Sequence, residues 1–290
     1  MSRLPEFLVI GAMKCGTTTL FEDLRANPGI FIPEKESSGL VECDVTSLSG
    51  RAEYRRLFRT APITSTVGEV ATTYAMQPHF AGVPERAKFV FQNVKVIYIV
   101  RDPVARIISH HYHDFSSGTL TTDIDRAVRQ DPRLLDYTRY ATQLRPWVDT
   151  FGADSVKVLR FESYVMDRAG TMSDLFRFLG VDAVSTTQSF EQAHNVSEEK
   201  RVATAGWQRI ARNPVYRNRI KVLLPRTARK RIARTVLPHA PERPDPPQRD
   251  TVRLILDELG PEVEQLRAIS GTNEWWDLDE VRARYELPPG

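Results

Sequence analysis

Apolar positions along the chain gather into short blocks of two kinds. Residues 7–10 (FLVI), 30–32 (IFI), 67–70 (VGEV), 94–100 (VKVIYIV) and 156–161 (VKVLRF) are compact runs rich in β-branched and aromatic residues. Runs this short and this apolar predict strands, and VKVIYIV is the clearest candidate for the centre of a sheet. Between them the apolar residues recur at helical spacing. From Thr18, Leu20, Phe21 and Leu24 share one side until Asn27-Pro28-Gly29 stops the helix. Arg101-Asp102-Pro103 ends the central strand and opens a helix through His113, with Pro103 in its first turn. Met172–Leu179 and Thr251–Ile269 are further helices, and Trp275-Trp276 reads as a terminal aromatic latch on the core.

Strands alternating with helices imply an α/β fold: right-handed crossovers and a central, mainly parallel sheet covered on both faces. Ligands of such sheets sit beyond the carboxyl ends of the strands. Two loops begin at such ends, Gly11–Thr19 and Arg101–Ser109.

The 290 residues are enough for one large domain. With 41% hydrophobic and 27% charged residues the composition is that of a soluble globular chain. No apolar run approaches the roughly 20 residues that cross a bilayer, and the N-terminal MSRLPEFLVIG serves better as a strand than as a cleaved leader. Two cysteines, Cys15 and Cys43, cannot make a disulfide framework, so a cytoplasmic location is expected. The net charge of +3 hides an uneven distribution, because residues 201–234 hold eleven Lys/Arg and no Asp/Glu. Such a block is either a solvated helical face or a surface for an anionic partner. Interleaved Ile210, Val215, Ile220, Leu223 and Ile232 favour helices with a buried side. A single domain over 1–290 is therefore expected. It has an α/β core over 1–200, a basic helical segment and proline-rich connection over 201–250, and a C-terminal helix over 251–290 packed on the core.

The stretch GAMKCGTTTL carries the candidate chemistry. A strand, a glycine-bounded loop and a helix start converge several backbone N–H groups on one point, where the helix dipole favours an anion. Gly11 and Gly16 have the separation of the ATPase phosphate loop, but Thr17 stands where that pattern needs lysine, and Lys14 lies mid-loop instead. The fold class is thus P-loop-like, a three-layer α/β/α sandwich, with its cation displaced.

GAMKCGTTTL resembles the 5′-phosphosulfate loop of sulfotransferases that use 3′-phosphoadenosine 5′-phosphosulfate (PAPS), and KVIYIVRDPVARIISHHYHDF resembles their 3′-phosphate signature. Further likeness runs through VGEVATTY, VLRFESY, FRFLGV and the terminal LGPEVEQL…WW pattern, closest to the carbohydrate and bacterial branches. The glycine-rich C-terminal motif of the phenol and steroid branch is missing. The resemblance implies that Lys14 meets the oxygen bridging phosphate and sulfate. It has Gly16, Thr17, Thr18 and Thr19 hold the 5′-phosphate, with Cys15 contributing backbone. Arg101 and Ser109 would bind the 3′-phosphate, and Arg201 or Lys200, in HNVSEEKR, would add a contact there.

In the carbohydrate branch a glutamate after the first helix activates the acceptor hydroxyl, and Lys35-Glu36 matches that place. The aromatics and histidine usual just afterwards are replaced by Ser37, Ser38, Gly39 and Leu40. Glu36 is the candidate base, Glu69 more often orders the site or pairs with a cation in this family, and His79 stands behind both. His110, His111 and His113 invite a metal, but neighbouring helical positions diverge and no Cys or Glu pair completes a ligand set. No metal is expected, nor any nucleic-acid partner. The acceptor would be a carbohydrate or small hydroxylated metabolite, in a pocket built from loops 34–66, 114–150 and 185–200. Two rivals remain: a P-loop nucleotide kinase or NTPase, which needs a lysine after Gly16, and a non-catalytic polyanion binder using 201–234.

Overall fold

Every strand pair in the sheet is parallel. β1 (Phe7–Gly11), β2 (Ile30–Phe31), β3 (Thr66–Val70), β4 (Lys95–Val100) and β5 (Val156–Arg160) lie in the order β2-β3-β1-β4-β5. This is a computed structural model, and it describes residues 3–182, 243–270 and 275–286. The basic stretch 201–234, the HNVSEEKR segment and the whole of the 185–200 loop lie outside the described residues.

All five residues of β1 and five of the six in β4 are buried, because helices cover both faces of the sheet. The helices are α1 (Thr17–Ala26), α2 (Gly39–Glu42), α3 (Leu48–Arg56), α4 (Val83–Lys88), α5 (Pro103–Ser116), α6 (Ile124–Gln130) and α7 (Arg133–Asp136). They continue with α8 (Tyr140–Phe151), α9 (Phe161–Met166), α10 (Arg168–Leu179), α11 (Arg249–Ser270) and α12 (Leu278–Glu286). The strands and the helices at 17–26, 103–116, 168–179 and 249–270 fall where the hydrophobic pattern puts them. Loops 34–66 and 114–150 contain helices of their own, several of them a single turn long.

The chain leaves β1 toward β2 and leaves β4 toward β5, so the two connections diverge at neighbouring strands. A crevice must open at the carboxyl ends of β1 and β4. The C-terminal elements reach back to it. Trp275 and Trp276 are buried, and the Trp276 indole N–H donates to Glu162 Oε2 at 3.0 Å. On α12, Arg284 pairs with Asp102 at 3.2 Å.

One glycine is dictated by the sheet. Gly68 faces Phe7 across the β1–β3 register, and a Cβ there would lie 2.1 Å from the Phe7 ring, which is fully buried. Gly68→Ala should therefore lower stability by about 2 kcal/mol through overpacking, read as a lower urea midpoint at unchanged slope. A wild-type midpoint would contradict this packing.

Candidate active site

The crevice is an open cleft of about 590 Å³, lined along one wall by the β1–α1 loop. Gly16 precedes α1 in the left-handed region, at φ 89°, and a Cβ on it would come within 2.6 Å of the Phe161 ring. Only glycine satisfies both the dihedral and the approach. No side chain caps α1 and no acidic residue occupies its first turn, so its N-terminus keeps the partial positive charge that attracts anions. Lys14 also sits at positive φ (70°), a costly conformation that holds it at the turn's apex.

The cleft collects residues from beyond all five strands. Lys14, Gly16, Thr17, Thr18 and Thr19 come from the loop after β1, Arg101 and Ser109 from the end of β4 and from α5, and Lys35 and Glu36 from beyond β2. Arg101 lies with its guanidinium 4.9 Å from the Phe161 ring centroid and donates to the Lys14 carbonyl at 3.5 Å. Cys15 departs from the expected arrangement. Its amide donates to the Ala12 carbonyl at 3.2 Å, and its side chain is wholly buried beside Tyr140 rather than lining the cleft. Burial pushes its thiol up to about 11, against the pull of Arg106, so it is no thiolate at neutral pH. Arg201 lies outside the described residues.

Glu36 is held by neighbours that sequence reasoning did not name. Its Oε1 meets Lys35 Nζ at 2.5 Å, and its Oε2 accepts from the Thr72 amide at 2.8 Å and the Thr72 hydroxyl at 3.0 Å. Three donors fill three of roughly four acceptor positions on a carboxylate, leaving one for a ligand hydroxyl. Glu36 and Ser38 both have positive φ, 60° and 50°. The turn they form is fastened from below by Glu69, whose fully buried carboxylate accepts from Ser37 Oγ, the Gly39 amide and the Tyr54 hydroxyl at 2.5, 3.1 and 2.5 Å. Burial raises the Glu69 pKa, and these donors oppose the rise. Its partners among the described residues are neutral, so it orders the turn rather than pairing with a cation.

Ser38, Thr72, Thr73 and Met76 complete this end of the cleft, and Ser38 Oγ lies 2.9 Å from Thr73 Oγ1. Phe161, after β5, completes the other end. His79 does not line the cleft; it meets Tyr137 edge-on. Of the three adjacent histidines only His113 reaches the cleft. His110 is buried against the Tyr137 ring, and His111 Nε2 lies 2.8 Å from the Thr122 carbonyl. Among the described residues no group of His, Cys, Asp or Glu is arranged to hold a metal ion. Asp102 caps α5 by accepting from the Ala105 amide at 2.9 Å, pairs with Arg284 and does not line the cleft.

A parallel sheet, a lysine mid-way along the loop after β1 and a separate arginine at the neighbouring strand end define an α/β protein with a cation-lined cleft beyond its strand ends. The chain belongs to the sulfotransferase domain family, whose model matches residues 4–205. Mouse heparan sulfate glucosamine 3-O-sulfotransferase 3B1 is 27% identical over 198 residues, 65% of this chain and 49% of that protein. Human bifunctional heparan sulfate N-deacetylase/N-sulfotransferase 3 is 26% identical over 199 residues, 62% of this chain and 22% of its own length. The chain thus spans about half the length, or less, of these curated relatives. A sulfotransferase from Alicyclobacillus acidocaldarius shares the fold, with a TM-score of 0.62 at 21% identity over 93% of this chain and 97% of that one.

His110 makes the site's support sensitive to acid. Burial first, then the charges of Arg106, Arg133, His113 and Lys14, hold its pKa down to about 2, while Asp114 on the same helix lies 3.5 Å from its Nε2. The unfolded chain takes up a proton below about 6.5 and the folded chain does not, so stability falls as pH drops through that value. Between pH 7 and 5.5 this amounts to about 1 kcal/mol. Urea titrations at both pH values should show that loss in the wild type and a much smaller one in His110→Gln; equal losses would assign the sensitivity elsewhere.

Proposed function

We propose that the protein transfers a sulfuryl group from PAPS to a hydroxyl of a carbohydrate or small-metabolite acceptor. The observation that carries this reading is the meeting, in one cleft, of Lys14 and the α1 N-terminus with Arg101 and Ser109 on one side and Glu36 on the other. Family membership over residues 4–205 supports the same chemistry, and likeness to two heparan sulfate enzymes supports a carbohydrate acceptor.

The donor has negative charge at two ends. Its 5′-phosphosulfate suits the loop, where the α1 amides and the hydroxyls of Thr17, Thr18 and Thr19 converge. Its 3′-phosphate suits Arg101, which offers a planar fork, and Ser109 on the following helix. The acceptor then lies toward Glu36, Ser38, Thr72 and Thr73. Glu36 takes the acceptor hydroxyl's proton as its oxygen bonds to sulfur. The bond from sulfur to the bridging oxygen breaks, and its electron pair stays on the 5′-phosphate of adenosine 3′,5′-bisphosphate. Lys14 offsets that growing charge, and an interaction stronger in the transition state than before it lowers the barrier.

A sulfuryl group carries less negative charge than a phosphoryl group, so Lys14 and the loop amides suffice without a divalent ion. Two buried, unpaired cysteines fit a reducing compartment such as the cytoplasm. Among the described residues no helix is long and apolar enough to cross a membrane.

Lys14→Ala should cut kcat by about 10²–10³-fold, the scale of losing one donor to developing charge, and leave the melting temperature unchanged. Arg101→Ala should weaken adenosine 3′,5′-bisphosphate by about 10–100-fold in calorimetry, the scale of a lost charged hydrogen bond. Wild-type turnover in the first variant, or wild-type affinity in the second, would refute the assignment. Turnover is also expected to survive a chelator; its loss, restored by magnesium, would favour a phosphoryl-transfer reading instead.

A further inference from the structure

Arg106 lies on α5, facing inward beneath the β1–α1 loop, and none of its surface reaches solvent. A buried guanidinium normally has a carboxylate beside it. Among the described residues no Asp or Glu lies within 4.0 Å of this one. Its partners are neutral: Nε donates to the Met13 carbonyl at 3.2 Å, and Nη1 to the Leu134 carbonyl at 3.1 Å and the Thr138 hydroxyl at 3.0 Å. The Tyr137 ring lies 5.9 Å away, and Nη2 has no hydrogen-bond partner among the described residues. Burial lowers its pKa, yet a guanidinium stays protonated at neutral pH.

Two consequences follow from the bond to Met13. In a planar trans peptide the carbonyl and the next N–H point in opposite directions. Holding the Met13 carbonyl down toward Arg106 therefore turns the Lys14 amide up, away from the core. The same bond places an uncompensated positive charge directly behind the loop, shielded from water, where its field is weakly screened. That the field reaches the surroundings is visible in the thiol of Cys15 and the imidazole of His110, both of which it shifts toward their less positive forms.

We infer that Arg106 is a positioning residue for the donor's 5′ end: it aims the loop's backbone at the 5′-phosphosulfate and supplies from behind a charge that this anion completes. The inference rests on the function proposed above, and assigns the site a third cation that never touches the ligand. Among the described residues Arg106 makes no hydrogen bond to Arg101, whose carbonyl accepts from the Tyr140 hydroxyl at 2.7 Å and whose guanidinium reaches the loop by its own bond to the Lys14 carbonyl at 3.5 Å.

The test separates the two ends of the nucleotide. Calorimetry is run on the wild type, Arg106→Met, Arg106→Gln and Arg106→Lys with three probes: adenosine 3′,5′-bisphosphate, adenosine 5′-phosphate and adenosine 3′-phosphate. Melting curves establish which variants fold, and the neutral variant that does so carries the comparison. In it the two probes with a 5′-phosphate should weaken by about tenfold or more, as for one charged interaction, while adenosine 3′-phosphate keeps its wild-type affinity. Arg106→Lys, which retains the charge, should recover most of the loss, and kcat should follow the 5′-phosphate affinity while the acceptor KM stays constant. Equal loss at both ends, no loss, or a lysine variant as weak as the neutral one would overturn the inference alone. Failure of the wild type to bind the bisphosphate would overturn the proposed function, and this inference with it.

Discussion

The peptide groups between Ala12 and Gly16 have almost no freedom to turn. The Met13 carbonyl is bound by Arg106, the Lys14 carbonyl by Arg101 and the Cys15 amide by Ala12. Each of these bonds points into the protein or along the loop, so what remains for the cleft is donor-rich: the amides entering α1, three threonine hydroxyls and one lysine. A loop fixed in this way does not reorganise when an anion arrives, and preorganised dipoles act more strongly than mobile ones. The positive φ at Lys14 and Gly16 is the local cost of that orientation, and α1 and the β1–β4 pairing hold it in place.

The far side of the cleft has a counterpart. Glu69 is a buried carboxyl group bound by a serine, a backbone amide and a tyrosine; Arg106 is a buried cation solvated by two carbonyls and a threonine. Neither is neutralised by an opposite charge within the described residues. Desolvating such groups costs several kcal/mol each, a cost without return if only stability were at stake. Each instead anchors one rim. Glu69 holds the strained turn that presents Glu36, and Arg106 holds the strained turn that presents Lys14. One buried group thus underlies the turn of the proposed base, and another the turn of the proposed leaving-group cation.

Much of this is legible in the chain, and the reasons for the rest are physical. Strands buried on both faces are written as near-continuous apolar runs, which is why 7–11 and 95–100 are found without a structure, and the partly buried 156–160 still shows three apolar residues among its five. Single-turn helices such as Gly39–Glu42 and Arg133–Asp136 have too few positions to show a period. The helix at 140–151 carries Pro146 in its interior, a residue that argues against a helix by propensity alone. Glycine spacing marks the loop in advance, and Lys14 and Gly16–Thr19, named from the family resemblance, all line the cleft. Cys15 goes the other way because a tight turn alternates its side chains, and one of them must face the core. Thr72, Thr73, Met76 and Phe161 reach the cleft only because β3 and β5 end beside it, a fact that belongs to strand order rather than to any local pattern.

The same strand order explains why the C-terminal segment matters to a site built mostly from the first half of the chain. At the end of β4, the Arg101 amide and carbonyl and the Asp102 amide are claimed by side chains from later elements. Tyr140 bridges the Arg101 carbonyl, and Glu162 accepts from the Asp102 amide at 2.9 Å. Glu162 is held in turn by Trp276, and the Asp102 carboxylate by Arg284. Burial raises the Asp102 pKa, and the Ala105 amide and the Arg284 charge work against that rise. The Arg284 charge on α12 thus favours the ionised form of this enclosed cap. The aromatic pair and the last helix therefore do more than close the core: they hold Glu162 and Asp102, the two carboxyl groups that fix the start of α5 beside Arg101.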